Sequence, residues 1–80
     1  MTVYRRHAIE RMAARGIARH WVEAALASPD WEVPNGRPGV TRTFQAIAEA
    51  GGRILRVVHR HDGADIVVIT ALFDRNARQP

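Results

Sequence analysis

The chain has 80 residues, of which 12 are basic and eight acidic, for a formal net charge of +4 at pH 7. This length supports one hydrophobic core, so the sequence predicts a single domain over residues 1–80. The absence of cysteine excludes disulfides and thiolate zinc sites. No apolar run approaches membrane-spanning length, so we expect a soluble cytoplasmic protein with no membrane partner.

Two amphipathic helices are predicted before residue 28. The first spans about residues 5–15, and its apolar side carries Ala8, Ile9, Met12, Ala13 and Gly16. Gly16 ends this helix because glycine accepts the left-handed conformation of a helix cap. The second spans about residues 18–27, with an apolar face of Ala18, Trp21, Val22, Ala25 and Leu26.

A loop-rich stretch of proline and glycine over residues 28–39 separates the helices from a series of strands. Strands are predicted at residues 31–33, 41–50, 53–61 and 66–73, with turns at Gly51-Gly52 and Asp62-Gly63. Residues 66–73 are apolar on both faces, which indicates a central strand with one face under the helices. The expected fold class is therefore α+β, with two N-terminal helices packed on an antiparallel sheet of three to four strands.

The basic residues are all arginine. Guanidinium groups bind phosphate bidentately and stack on bases, which suits RNA contact. A GC-rich genome would enrich arginine codons as well and explains the overall composition equally well. Position is more informative, because residues 1–28 carry five Arg against two Glu, a net charge of +3. Such an uneven distribution steers polyanions toward one part of a surface.

A basic stripe of His7, Arg11 and Arg15 follows the first predicted helix. These positions lie one turn apart and point away from the predicted apolar centre. Histidine exchanges a proton near neutral pH, and two arginines beside it would hold a phosphate and stabilise developing charge. The alternative is that the three are ordinary solvated charges on an outer helix face.

A second basic group lies on the predicted strands and comprises Arg42, Arg53, Arg56, His59, Arg60 and His61. Alternation places Arg56 among apolar neighbours, so it either pairs with Glu49 or Glu10 or binds phosphate in a cleft between sheet and helices. His59 and His61 are expected to form a solvated pair at a strand edge. No metal site or cofactor is predicted, because no acids are grouped near the two histidines. Asp62, Asp65 and Asp74 would suit a metal-dependent nuclease, but Asp62 and Asp65 fit a hairpin turn, which is the preferred explanation.

The segment His-Ala-Ile-Glu-Arg-Met-Ala-Ala-Arg-Gly-Ile, at residues 7–17, closely resembles the opening signature of a family of small bacterial domains of uncharacterised function. The resemblance continues through residues 22–30, 55–58 and 67–71. Ala18 departs from it, since a Ser or Thr cap is usual there. That family is similar in turn to the BrnT-type and RelE/ParE-like toxins, small basic ribonucleases with two helices packed on an antiparallel sheet.

The resemblance implies a metal-independent ribonuclease of a toxin–antitoxin system, with an acidic antitoxin as partner. His7 would be the general base or acid, Arg11 and Arg56 would hold the scissile phosphate, and Thr70 would donate a hydrogen bond nearby. Further RNA contacts are expected from Arg15, Arg42, Arg53 and His59. Two alternatives remain: a nucleic-acid-binding module without catalysis, and a protein-interaction domain in which Trp21 and Trp31 are contact anchors.

Overall fold

The computed structural model describes residues 1–80 and contains two α-helices and one five-stranded sheet. In chain order the elements are β1 (Thr2–Tyr4), α1 (Arg6–Arg15), α2 (Arg19–Ala27), β2 (Trp31–Pro34), β3 (Val40–Ile47), a short 3-10 helix (Ala48–Ala50), β4 (Arg53–Asp62) and β5 (Asp65–Phe73). The strand order across the sheet is β1-β5-β4-β3-β2. Neither helix has the length and apolar character needed to cross a membrane.

The sheet is mixed, and the prediction of three to four antiparallel strands is wrong. β1 pairs in parallel with β5, with Thr2 opposite Ile66 and Tyr4 opposite Val68. The other three pairings, between β2, β3, β4 and β5, are antiparallel. The α+β class is nevertheless correct. β1 explains why β5 is apolar on both faces, because β5 lies inside the sheet between β1 and β4.

Both helices form close to their predicted bounds. Gly16 ends α1 with φ at 65°, and the N–H of Ile17 donates to the carbonyl of Met12 at 2.9 Å. The buried side of α1 is narrower than predicted, because Ala8 and Met12 are buried whereas Ile9 is 47% exposed. The side of α1 that meets the sheet is therefore rotated toward Arg15, which lies seven residues after Ala8 and only about 20° from it around the helix axis.

The main core lies between the helices and one face of the sheet. It consists of Ala8, Met12, Ile17, Val22, Ala25, Ile47, Leu55, Val57, Val68 and Ala71. Because side chains alternate along a strand, Arg56 and Val58 project from the opposite face. We call this helix-free side the open face. It has its own small apolar cluster, made of the buried side chains Val40, Phe44, Val58 and Val67.

Candidate nucleic-acid interface

The open face brings together three of the predicted site residues. Val58 on β4 pairs with Arg42 on β3 and with Thr70 on β5. Arg56, two residues earlier on β4, pairs with Phe44 and Leu72 on the same two strands. The Nε atoms of Arg42 and Arg56 and the Oγ1 atom of Thr70 are buried without a hydrogen-bond partner. Buried polar atoms normally have hydrogen-bond partners, so the open face contains three polar groups whose hydrogen bonding the protein itself does not satisfy.

An aromatic pair adjoins these polar groups. Trp31 on β2 lies opposite Phe44 on β3, and their rings stack with centroids 4.6 Å apart and an angle of 7° between planes. Phe44 is buried, while Trp31 is half-buried. Aromatic rings on a sheet face, with arginines beside them, are the arrangement on which single-stranded nucleic acids stack their bases.

Four arginines surround a groove at the end of the sheet where β4 begins and β5 ends. We call it the arginine groove, and Arg15, Arg53, Arg75 and Arg78 are its basic lining residues. Its apolar lining residues are Ile54, Leu72, Phe73 and Ala77. The groove has a volume of about 720 Å³, within the range of roughly 300–1,000 Å³ that is usual for small-ligand sites.

Two of the groove arginines are fixed in place by the fold. The Nη1 group of Arg15 donates to the carbonyl of Ala71 at 2.8 Å. The Nε group of Arg53 donates to the carbonyl of Ala50 at 3.1 Å, and its guanidinium lies 4.0 Å from the centre of the Phe73 ring. None of the four groove arginines is in an ion pair. The groove therefore holds concentrated positive charge that the protein does not neutralise.

The groove and the open face join at Asp74. Its carboxylate lines the groove and accepts a hydrogen bond from Nη1 of Arg56 at 3.1 Å. Both side chains are largely buried, with exposed fractions of 26% for Arg56 and 16% for Asp74. The predicted pairing of Arg56 with Glu49 or Glu10 is wrong. The prediction that Arg56 lies in a cleft between the sheet and the helices is also wrong, because its side chain is on the open face. Glu49 instead accepts a hydrogen bond from Nε1 of Trp21 at 3.1 Å.

His7 and Arg11 lie on the other side of the molecule. Both project from α1, which covers the core face of the sheet, and the His7 side chain is 82% exposed. The nearest carboxylate to His7 is that of Glu10, at 3.9 Å. Because the sheet stands between them and the open face, His7 and Arg11 do not share a site with Arg56 and Thr70.

His59 is buried rather than solvated, so the expectation of a solvated pair with His61 is wrong for His59. His59 lies on the face of the sheet that the helices cover. Its Nε2 lies 2.6 Å from Oγ1 of Thr43, and this hydroxyl donates to Oε2 of Glu32 at 2.8 Å. Since the single hydroxyl hydrogen goes to the carboxylate, Nε2 of His59 is the donor to Thr43. Burial lowers the pKa of His59, the nearby Glu32 carboxylate raises it, and His61 lowers it further.

Arg75 and Arg78 are not predicted as site residues from the sequence, and Asp74 is considered there only as a metal ligand. The charges of residues 65–80 cancel, two Arg against two Asp, so nothing in the composition distinguished this segment. The usable signal was local: an aspartate directly after a buried strand, followed by two arginines three residues apart. The His59–His61 pair has no third ligand, since no cluster of three or more His, Asp or Glu side chains suited to a metal ion exists in the protein.

Comparison with known proteins gives a family without an assigned activity. The family model described as Domain of unknown function (DUF4258) matches residues 4–73, from the end of β1 to the end of β5. No curated protein and no solved structure matches the chain. The matched range contains both helices and most of the sheet, including Arg15, Arg42, Arg53, Arg56 and Thr70. The chain therefore belongs to the DUF4258 family.

Proposed function

We propose that this domain binds single-stranded RNA along the arginine groove and the open face. The observation that carries the proposal is the clustering of four arginines around one groove, none of which is paired with a carboxylate: Arg15, Arg53, Arg75 and Arg78. Like charges held together repel one another, so an arrangement of this kind is stabilised when an anion enters. Guanidinium groups bind phosphate oxygens through paired hydrogen bonds, which makes a phosphodiester backbone the suitable anion.

The open face favours single strands over duplexes. Base stacking on the half-buried Trp31 requires unpaired bases, and the guanidiniums of Arg42 and Arg56 lie on the same face. Each base stacked on an aromatic side chain contributes about 1–3 kcal/mol. A duplex exposes its phosphates but buries the faces of its bases between neighbouring base pairs. Its phosphates could therefore bind the groove, but its bases could not stack on Trp31.

The proposal is tested by fluorescence anisotropy of a short labelled single-stranded RNA at low salt. The double variant Arg53→Gln/Arg78→Gln should weaken binding about tenfold or more, because each charged hydrogen bond contributes roughly 1.5–3 kcal/mol. Trp31→Ala should weaken binding to the single strand but leave binding to a duplex of the same sequence nearly unchanged.

The matched control is Arg37→Gln. Arg37 lies in the exposed loop between β2 and β3, outside the groove, and its substitution removes one positive charge, as does either groove substitution made alone, Arg53→Gln or Arg78→Gln. Circular dichroism of each variant shows whether the fold is retained. Equal weakening by Arg37→Gln and a groove variant would mean that net charge alone attracts RNA, and absence of binding at low salt would overturn the proposal.

Metal-independent RNA cleavage is a second candidate, and the Arg56–Asp74 pair favours it. The two side chains are in contact at 3.1 Å, and Thr70 is a diagonal neighbour of Arg56 on the same face. In this arrangement Asp74 would accept the proton of the 2′-hydroxyl while its oxygen bonds to the adjacent phosphorus, which Arg56 and Thr70 would hold. The bond from phosphorus to the 5′-oxygen would break, leaving a 2′,3′-cyclic phosphate, and the released 5′-oxygen would take a proton from water. His7 and Arg11, which the toxin resemblance implies as catalytic, would act only at a separate site on α1.

Asp74→Asn separates binding from cleavage. Removing the carboxylate frees Arg56 from its partner, so RNA binding should become several-fold tighter. Cleavage measured in EDTA should be lost in the same variant and retained in His7→Ala. If wild type cleaves RNA and His7→Ala does not, the active site is on α1 and the assignment to Asp74 is wrong. If wild type leaves RNA intact, the domain is a binding module.

A toxin–antitoxin role would add an acidic protein as partner. Two features support this role: the unneutralised arginine groove, and the resemblance of residues 7–17 to a domain family that is similar in turn to the BrnT-type and RelE/ParE-like toxins. An acidic segment in the groove would compete directly with RNA phosphates. We therefore expect a cognate acidic partner, added to the preformed RNA complex, to displace the RNA, and a partner that binds without displacing it would argue against this role.

A further inference from the structure

We propose that the arginine groove is a subsite for a terminal phosphate monoester, so that the preferred ligand is an RNA end rather than an internal segment. The inference rests on the proposed function and concerns the same surface. It follows from the number of cations at the groove, from its volume and from its apolar lining residues, each of which fits a single phosphorylated nucleotide.

The charge at the groove matches a dianion better than a monoanion. Four guanidinium groups face one carboxylate, that of Asp74, and this carboxylate already accepts a hydrogen bond from Arg56. An internal phosphodiester carries one negative charge, whereas a phosphate monoester carries about −1.5 to −2 at pH 7 and has three free oxygens. Those oxygens allow several bidentate contacts with different arginines at once.

The shape of the groove fits one nucleotide. Its volume of about 720 Å³ is that of a small-ligand site, and it is small for an extended strand of several nucleotides. Ile54, Leu72 and Ala77 give it apolar lining that a base can contact, beside the arginines that would bind the phosphate. The Arg15 and Arg53 side chains are anchored to backbone carbonyls, so little side-chain freedom is lost when they bind the phosphate.

The test compares one single-stranded RNA sequence in three forms: with a 5′-phosphate, with a 3′-phosphate and with hydroxyl groups at both ends. We expect one phosphorylated form to bind about tenfold more tightly than the unphosphorylated form, because additional charged hydrogen bonds form. This preference should shrink to about twofold or less in Arg75→Gln/Arg78→Gln and should persist in Arg37→Gln. Adenosine monophosphate should compete with the phosphorylated RNA, whereas adenosine should not.

The outcomes separate this inference from the proposed function. Equal affinity for all three RNAs overturns the terminal-phosphate subsite and leaves RNA binding intact. Loss of binding to every RNA overturns both proposals. A preference for phosphorylated ends that persists in Arg75→Gln/Arg78→Gln would place the phosphate elsewhere on the surface and would overturn the subsite. Competition by adenosine monophosphate alone, without an end preference among the RNAs, would assign the groove to free nucleotides and contradict the inference.

Discussion

His59 is the residue at which burial and charge oppose each other most directly. Its side chain is 4% exposed, and its Nε2 donates to Thr43, which in turn donates to the half-exposed carboxylate of Glu32. Its Nδ1 is buried without a partner. The Glu32 carboxylate and the Thr43 hydroxyl thus favour the neutral His59 ring with its hydrogen on Nε2. Protonation of this ring would place a positive charge in a poorly solvated position.

The stability of the domain should therefore fall in mild acid. The pKa of His59 in the folded protein lies below its ordinary value of 6.5, mainly because of burial. As the pH drops below about 6.5, the unfolded chain takes up a proton that folded His59 resists, so the free energy of unfolding decreases until the pH reaches the lowered pKa. Urea denaturation across this range measures the effect.

The control for this titration is the neighbouring histidine. The His61 ring lies 6.0 Å from that of His59 but is exposed, so His61→Gln should keep most of the pH dependence. His59→Gln should flatten it, whatever its effect on stability at neutral pH. A slope that persists in His59→Gln would assign the acid sensitivity to other groups.

At the scale of elements, the start of α2 lacks the usual stabilising groups of a helix N-terminus. Ala18 has the extended backbone of an N-cap, with φ at −74° and ψ at 141°, but makes no side-chain cap bond, and the first turn has no acidic residue. Ala18→Asp would supply the missing acceptor and a favourable charge at the positive end of the helix. We expect a gain of about 1 kcal/mol, a rise in Tm of about 4–8 °C by thermal unfolding.

A matched substitution in the same helix tests whether the cap is the cause. Ala24 is exposed in the middle of α2, where aspartate lacks free N–H groups to bind and has a low helix propensity. Ala24→Asp should therefore lower Tm. A similar rise for both variants would mean that reduced net charge, and not capping, stabilises the domain.

The elements differ in how much of them the sequence could predict. The helix periodicity of Val22 and Ala25 and the alternation of Leu55, Arg56 and Val57 identified the helices and the long strands, because those patterns extend over many residues. β1 has only three residues, too few for a period, and its parallel pairing joins segments more than 60 residues apart. Its existence could be inferred only indirectly, from the apolar character of β5.

The site was less predictable than the fold, because it depends on which side of the sheet each residue faces. Alternation correctly separated Arg56 from Leu55, but nothing in the sequence identifies the face that the helices cover. The toxin resemblance implies one site for His7 and Arg56, although the sheet separates them. Arg15 and Arg53, 38 positions apart in the chain, meet at the groove only because α1 ends beside β5 and β4 begins there.

At the scale of the whole molecule, the fold concentrates an unneutralised part of the positive charge at one end of the sheet. The net charge of +4 is modest, yet the groove contains four arginines and a single aspartate. Surface ion pairs occur elsewhere, as between Arg6 and Glu10 on α1 and between Arg60 and Asp62 on β4. RNA binding would therefore depend on where the positive charge lies and not on the net charge of the domain.

The salt dependence of RNA binding measures this concentration of charge. Each phosphate contact releases condensed counterions, so the logarithm of the affinity should fall with the logarithm of salt concentration with a slope of about −0.7 per contact on a single strand. A terminal phosphate dianion held in the groove would contribute roughly −1.4 to the slope, and each internal phosphate bound along the open face would add about −0.7. Arg78→Gln should reduce its magnitude by about 0.7, whereas Arg37→Gln should leave it unchanged. An equal reduction by both variants would mean that the ligand detects the overall charge of the domain and not the groove.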